Sequence, residues 1–244
     1  MFSTVTDKLR ALLFPQACLV CRVNQSKFFD GNACSGCWSQ TRLFTGEEAI
    51  CEKCGLLLGQ AKLNRTTNCW QCDGHFYEKA RACGIYSQAL TAEIVGLKTT
   101  PKLNCRTREL LHNTFVSARF HQSTLLIPVP LSRQRQFERG FNQAEVIANS
   151  LSHFSNIPVD SKSLQRTKHS TMHRIGMDRK ARDLSVKNAF NVVRPKLIAG
   201  QNILLIDDVY TTGATLSYCA KALKKHGAVE VNALTIARAI SNEV

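Results

Sequence analysis

The stretch Leu204-Leu205-Ile206-Asp207-Asp208-Val209-Tyr210-Thr211-Thr212-Gly213-Ala214-Thr215 organises the reading of this 244-residue chain. Asn202 to Ile206 is a short, bounded apolar run of the kind that forms a buried strand. After it, Leu216, Cys219, Ala220 and Leu223 recur at helical spacing until Gly227 closes the pattern. Residues 207–215 are therefore expected to cross from strand to helix at the carboxyl edge of a sheet, where open α/β sheets bind ligands. Thr211, Thr212, Gly213, Ala214 and Thr215 supply N–H groups at a helix N-terminus, three hydroxyls, and one glycine that lets backbone approach closely. Together they form a cradle for a phosphate monoester. Asp207 and Asp208 would repel phosphate, so their use differs: carboxylates accept from the vicinal hydroxyls of a ribose or hold hydrated magnesium. An acid pair followed by a phosphate nest points to ribose 5-phosphate. A Walker-type loop is excluded, because no Gly-Lys-Ser/Thr is present.

Upstream of this stretch the same alternation holds back to about residue 80. Leu90, Ile94 and Leu97 mark one helix, and Leu110, Leu111 and Phe115 a second. Thr124 to Val129 reads as a buried strand bounded by Pro128 and Pro130, and Phe141, Ala144, Ile147, Ala148 and Leu151 share a helix face. Val229 to Ala237 reads as a last strand. Strands alternating with helices predict a mostly parallel sheet covered on both faces.

Residues 1–79 are of a different chemical kind. Apart from a short helical pattern at 8–14, they have no sustained periodicity, and too little apolar material for a conventional core. Ten of the eleven cysteines lie before residue 106, and eight of those form the pairs Cys18/Cys21, Cys34/Cys37, Cys51/Cys54 and Cys69/Cys72. Two intervening residues let a tight turn aim both sulfurs at one tetrahedral ion, and a second pair some twelve to twenty residues on completes four ligands. Nearest-neighbour pairing gives one site from Cys18, Cys21, Cys34 and Cys37 and another from Cys51, Cys54, Cys69 and Cys72. Interleaved pairing satisfies the same spacing. Four thiolates with no open position suit two structural zinc ions, whose binding energy stands in for the missing core. No pair opens a helix within a βαβ unit, as a redox pair would. Cys83, Cys105 and Cys219 have no partner at metal spacing and are expected to be small buried residues. A zinc-ribbon module at 1–79 and an α/β domain at 80–244 follow.

The formal net charge is +14. Residues 1–80 hold 9 Lys and Arg against 7 Asp and Glu, and residues 81–244 hold 23 against 11, so the excess lies in the second module. A basic balance attracts phosphate-bearing partners without choosing among a sugar pyrophosphate, a nucleotide and a polynucleotide. Lys53, Lys62 and Arg65 lie near the second cysteine set, and Trp38, Trp70, Phe76 and Tyr77 are aromatics of the same module that either stack bases or cover a small core. Met1 to Pro15 lacks a cleavable export signal, and no apolar run approaches a transmembrane segment. A cytoplasmic protein with reduced thiols is expected.

The run 204–215 resembles, position for position, the phosphoribosyl-pyrophosphate signature of type I phosphoribosyltransferases. Leu13-Phe14-Pro15 before Cys18, Ile127-Pro128-Val129-Pro130, and Arg139-Gly140-Phe141-Asn142-Gln143 are similar to the ComF/GntX group of competence-associated proteins. That resemblance spans nearly the whole chain. It implies a type I phosphoribosyltransferase fold behind a double zinc ribbon, with Asp207 and Asp208 as the catalytic acid pair and magnesium entering with phosphoribosyl pyrophosphate. It also implies a pyrophosphate loop at Val129, Pro130, Leu131 and Ser132, with Arg133, Arg135 and Arg139 in reach. A closing loop is implied at 166–187, carrying Lys168, His169, Arg174, Arg179, Lys180 and Arg182. Relatives of the group carry a glutamine and a later arginine-asparagine pair in that loop, where this chain has Met172-His173 and Arg182-Asp183-Leu184-Ser185. The departure bears on turnover rather than on phosphate binding.

The implied role is natural competence, the uptake and processing of transforming single-stranded DNA. The partners are phosphoribosyl pyrophosphate or a related sugar phosphate, single-stranded DNA, and proteins of the competence machinery. Two other readings stay open: an active phosphoribosyltransferase of base or sugar metabolism, and a DNA-binding protein on a relic transferase fold.

Overall fold

The computed structural model describes residues 16–58, 69, 72–167 and 189–240. The helix expected at 8–14, Lys62, Arg65, Trp70 and the loop residues from Lys168 onward lie outside the described residues.

Four strands form the central sheet: β3 (Ala80–Ile85), β4 (Leu125–Pro128), β7 (Asn202–Tyr210) and β8 (Glu230–Arg238), in the order β3-β8-β7-β4 and parallel throughout. The central pair β7 and β8 is apolar in near-continuous runs, as strands covered on both faces must be. Alternate residues divide between two buried clusters. Leu204, Ile206, Leu234 and Ile236 face α2 (Gln88–Gly96), α3 (Cys105–Ser117) and α5 (Gln143–Ser155). Ile203, Leu205, Val231 and Ala233 face α6 (Ala214–Lys225) and a small ribbon of β5 (Leu164–Arg166) and β6 (Phe190–Val192). This period-2 division is what places helices on both sides. The mostly parallel α/β sheet expected from the alternation is thus the observed fold.

Three elements depart from the sequence pattern. The segment 80–85 reads Ala-Arg-Ala-Cys-Gly-Ile, with one β-branched residue, yet forms strand β3 because both its sides are paired. On one side β8 runs parallel to it; on the other, Ile85 N–H donates to the Arg42 carbonyl and Phe44 N–H to the Cys83 carbonyl. That second contact blunts an otherwise open sheet edge. The short helix α4 (Arg133–Arg139) has no apolar face and is held by its ends: Ser132 Oγ accepts from Arg135 N–H, and Gly140 closes it at φ +75°. The third departure concerns β7, whose strand continues to Tyr210 because Asp207, Val209 and Tyr210 stay in register with Thr235, Ala237 and Arg238 of β8. The crossing expected at 207–215 is therefore only Thr211 to Gly213.

Strands β1 (Gln16–Ala17) and β2 (Gln25–Ser26) and helix α1 (Ser35–Ser39) complete the first ribbon. The cysteine-rich segment shares its apolar contacts with the sheet. Cys18, Ala33, Cys34, Cys37 and Trp38 join the cluster that holds Leu90, Ile94 and Leu97, whereas Cys51, Cys54, Cys69 and Cys72 join the one that holds Leu216 and Cys219. Each tetrad thus sits on a different face of the sheet, and the segment wraps the β3 edge between them. No described helix is long and apolar enough to cross a membrane.

Candidate functional site

Strand β4 ends at Pro128, opposite Ile206, while β7 continues beside β8. From Asp207 onward β7 has lost its neighbour on that side, and a crevice of about 570 Å³ opens there at the carboxyl edge. Asp207, Asp208, Thr211, Thr212, Ala214 and Thr215 line one wall. Asp208 N–H donates to Asp207 Oδ1 at 2.9 Å, and Ala214 N–H to Thr212 Oγ1 at 3.3 Å, so side chains of the loop engage two of its own N–H groups. Gly213 is the N-cap of α6 at φ +78° and lies behind the lining, with the Tyr210 hydroxyl where a Cβ would be.

The opposite wall carries positive charge. Val129, Pro130 and Leu131 line it, their loop anchored by Val129 N–H to Ile206 carbonyl and by Asn142 Nδ2–H to Val129 carbonyl. Arg135 and Arg139, one turn apart on α4, face the crevice. Ser132 and Arg133 are not in the lining; the Ser132 hydroxyl is engaged in capping α4. Lys98 and Arg166 add two cations from elsewhere in the chain, giving four against the two carboxylates. Burial, and then the neighbouring Arg135 charge, lowers the Arg166 guanidinium from its ordinary range. Burial and the charge of Asp208 raise the Tyr86 phenol, which lines the crevice beside that carboxylate. Gln143 is buried at the N-terminus of α5, and its Nε2 is without a hydrogen-bond partner among the described residues while the side chain borders the crevice. Gln143 ends the Arg139–Gln143 motif, but nothing local in the sequence marks Lys98 or Tyr86 as site residues; the topology collects them.

The eight paired cysteines gather in two tetrads by nearest-neighbour pairing, with all four sulfurs of each within 4.8 Å of one another. In the first, Cys18 and Cys37 sulfurs lie 3.7 Å apart and those of Cys21 and Cys34 3.8 Å. In the second, Cys51 to Cys72 is 3.6 Å and Cys54 to Cys69 is 3.4 Å. A tetrahedron of sulfurs at 2.3 Å from zinc has edges of about 3.8 Å. A disulfide requires about 2.05 Å, and all eleven cysteines are free. Backbone N–H groups already point at the sulfurs: Cys34 N lies 3.2 Å from Cys18 Sγ, and Cys69 N 3.2 Å from Cys51 Sγ. Burial pushes the Cys54 thiol up to about 12, against the pull of Arg238. Zinc would supply the charge that allows four buried thiols to ionise together. The buried Arg238 tests this fit independently. Its Nη2 is 3.7 Å from Cys54 Sγ, and among the described residues it forms no ion pair with a carboxylate. A zinc tetrathiolate, net −2, is the counter-charge its surroundings otherwise lack.

Of the remaining cysteines, Cys83 and Cys219 are buried, and Cys105 is partly buried as the first residue of α3. Trp38 and Tyr77 are each 1% exposed, whereas Phe28, Phe29 and Phe76 are the exposed aromatics among the described residues of the ribbon module.

A parallel α/β domain with an acid-pair and threonine crevice at its carboxyl edge, joined to two cysteine tetrads, defines a double-zinc-ribbon protein with a phosphoribosyltransferase-type domain. Comparison with known proteins agrees: the phosphoribosyl transferase domain family matches residues 138–244, and the double zinc ribbon domain family matches residues 9–73. The Competence protein F of Haemophilus influenzae is 33% identical over 229 residues, covering 91% of this chain and 96% of that protein. The DNA utilization protein YhgH of Escherichia coli K12 is 28% identical, covering 94% of this chain and all of that one. Among solved structures, a purine phosphoribosyltransferase from Pyrococcus horikoshii covers 55% of this chain and 70% of its own at 18% identity, with a TM-score of 0.33. The chain belongs to the ComF/GntX family of competence-associated proteins.

Proposed function

We propose that this chain is a ComF-type protein of natural competence that acts in the cytoplasm on transforming single-stranded DNA and binds phosphoribosyl pyrophosphate with magnesium in the β7–α6 crevice. The observation that carries the ligand is the meeting, in one crevice of about 570 Å³, of an acid-then-threonine loop with four cations. A ribose 5-phosphate seated with its phosphate on Thr211, Thr212 and Thr215 turns its vicinal hydroxyls toward Asp207 and Asp208. The pyrophosphate that phosphoribosyl pyrophosphate carries on the same ribose then lies toward Val129, Leu131, Arg135 and Arg139. Magnesium would be held through the acid pair and the ligand's own oxygens, neutralising pyrophosphate charge. Asp207 and Asp208 orient the ribose, while the arginines hold the pyrophosphate and stabilise charge that would build on it if it departed. Two relatives supply the pathway: one is a competence protein by name and the other a DNA utilization protein.

The burial of Trp38 and Tyr77 removes those two rings from base stacking and leaves DNA contact to phosphates and to the exposed Phe28, Phe29 and Phe76 in the described part of the ribbon module. Calorimetry with phosphoribosyl pyrophosphate, with and without magnesium, tests the ligand. Binding that needs magnesium and weakens tenfold or more in Asp208→Asn is expected; no heat from the intact protein refutes it. Transformation frequency in a strain lacking the gene, complemented by wild type or by Asp208→Asn, tests the pathway.

A further inference from the structure

The rear of the threonine loop is built from the cysteine-rich segment. His75 follows Cys72 by three residues, and its N–H donates to the Cys72 carbonyl at 3.2 Å. Its Nε2 lies 3.1 Å from the Thr212 carbonyl oxygen. A carbonyl only accepts, so Nε2 carries the proton. A loop that turns its N–H groups toward a phosphate must turn its carbonyls away and satisfy them elsewhere; His75 does this for Thr212. At the next residue, a Cβ on Gly213 would overlap the Tyr210 hydroxyl and come within 3.0 Å of His75 Nε2.

Tyr210 is held in turn from the same quarter. Its hydroxyl shares a hydrogen bond of 2.6 Å with that of Tyr77, whose ring stacks on His75 at 5.1 Å. The Arg238 guanidinium lies 4.2 Å from the centre of the Tyr210 ring and reaches Cys54 through both its carbonyl and its sulfur. Two short paths therefore leave ligands of one tetrad, Cys72 through His75 and Cys54 through Arg238 and Tyr210. They arrive at adjacent residues of the loop, Thr212 and Gly213. The first tetrad lies in the cluster on the other face of the sheet.

We infer that His75 and Tyr210 are positioning residues for the ribose 5-phosphate loop, through which zinc at Cys51, Cys54, Cys69 and Cys72 and a sugar phosphate at Thr211–Thr215 strengthen each other's binding. The inference rests on the ribose 5-phosphate reading of the crevice. Its physical basis is shared ordering: zinc fixes the turn that carries His75, a bound phosphate fixes the loop that His75 and Tyr210 support, and each ligand lowers the ordering cost of the other. Such coupling is reciprocal, and a factor of about ten in each affinity is typical.

The test uses the full chain loaded with zinc and ribose 5-phosphate as probe. Chelator competition measures the zinc affinity of both sites with and without saturating probe, and Cys69→Ser identifies the first site by retaining it alone. The expected result is a several-fold tighter second site with the probe and an unchanged first site. His75→Ala and Tyr210→Phe are expected to keep both zinc ions yet bind the probe about tenfold more weakly and lose the protection. His75→Gln, which still presents an N–H, restores both. A wild-type protein that binds the probe while zinc affinity at the second site stays the same overturns the coupling and leaves the ligand standing. A wild-type protein that binds no ribose 5-phosphate overturns the ligand and the coupling with it.

Discussion

Arg238 ends strand β8 with its guanidinium 3.7 Å from Cys54 Sγ and only 4% of the residue exposed. A buried cation is costly unless compensated. Here the compensating charge is the second tetrad, aided by the electron-rich face of Tyr210. Replacing Arg238 by Met keeps much of the volume and removes the charge, leaving a buried dianionic metal site with less neutralisation. Zinc affinity at that site is expected to fall by about 10–100-fold, the usual effect of losing a group that supports a metal's ligands. Metal analysis after dialysis against graded chelator reads it: one zinc per chain retained where wild type retains two.

Gly213 combines a backbone conformation that L-residues avoid with a neighbour that leaves no room for a side chain. Gly213→Ala is expected to cost about 1–2 kcal/mol from the left-handed conformation alone, and more from overlap with the Tyr210 hydroxyl. In a Tyr210→Phe background the hydroxyl overlap is removed while ring Cζ, 2.7 Å from the Cβ position, and the conformational cost stay, so the second substitution should recover part of the lost stability. A double-mutant cycle on thermal midpoints measures that recovery. Additive effects would show that the hydroxyl is not what excludes a side chain.

The candidate site was legible where it is local and hidden where it is assembled. The acid pair, the threonines and the cysteine pairs each declare themselves within a few residues, because turn geometry alone brings their atoms together. The extension of β7 through Tyr210 could not be read that way. It depends on a ladder with β8, and residues 207–210 look like a loop until Thr235 is set beside Asp207 and Arg238 beside Tyr210. Strand β3 was hidden for the same reason, its six residues having little β-propensity and two partners distant in sequence. Lys98 and Arg166 join Arg135 and Arg139 only through the fold, and a charged strand end such as Arg238 would ordinarily be read as exposed.

Glu93 gives the stability of the protein a pH dependence of definite sign. Its carboxylate, 4% exposed on α2, accepts from Asn32 N–H, Asn32 Nδ2–H and Asn104 Nδ2–H, tying the first ribbon to the helix and to the N-cap of α3. Burial raises its pKa from 4.5 to about 7, outweighing those donors. A carboxyl with a raised native pKa binds its proton more tightly folded than unfolded. Its contribution is thus complete below the unfolded value near 4.5 and lost as pH rises through about 7. Over that window the wild type should lose on the order of 3 kcal/mol from this group. Glu93→Gln removes the titration, so denaturant midpoints measured from pH 5 to 8 should show a flatter profile than wild type.

The first tetrad is expected to report its metal through Trp38. That residue follows Cys37 in α1, its indole N–H donates to the Asp30 carbonyl at 2.9 Å, and the Arg106 guanidinium lies 4.6 Å from its ring centre while pairing with Asp30. It shares its buried cluster with Cys18, Cys34, Ala33 and residues of α2, so the tetrad is part of what keeps the indole in place, together with Asp30 and Arg106. Structural zinc contributes about 10–16 kcal/mol to such folds in peptides, comparable to the whole stability of a typical domain, and the packing around Trp38 cannot replace it. Cys34→Ser should therefore cost one zinc per chain and shift tryptophan emission to the red as Trp38 meets water. Repeating the measurement in a Trp38→Phe background should abolish the shift while the metal loss remains, which assigns the signal to Trp38 and not to Trp70. An unshifted spectrum after loss of the first zinc would mean that the α2 contacts alone keep the indole buried.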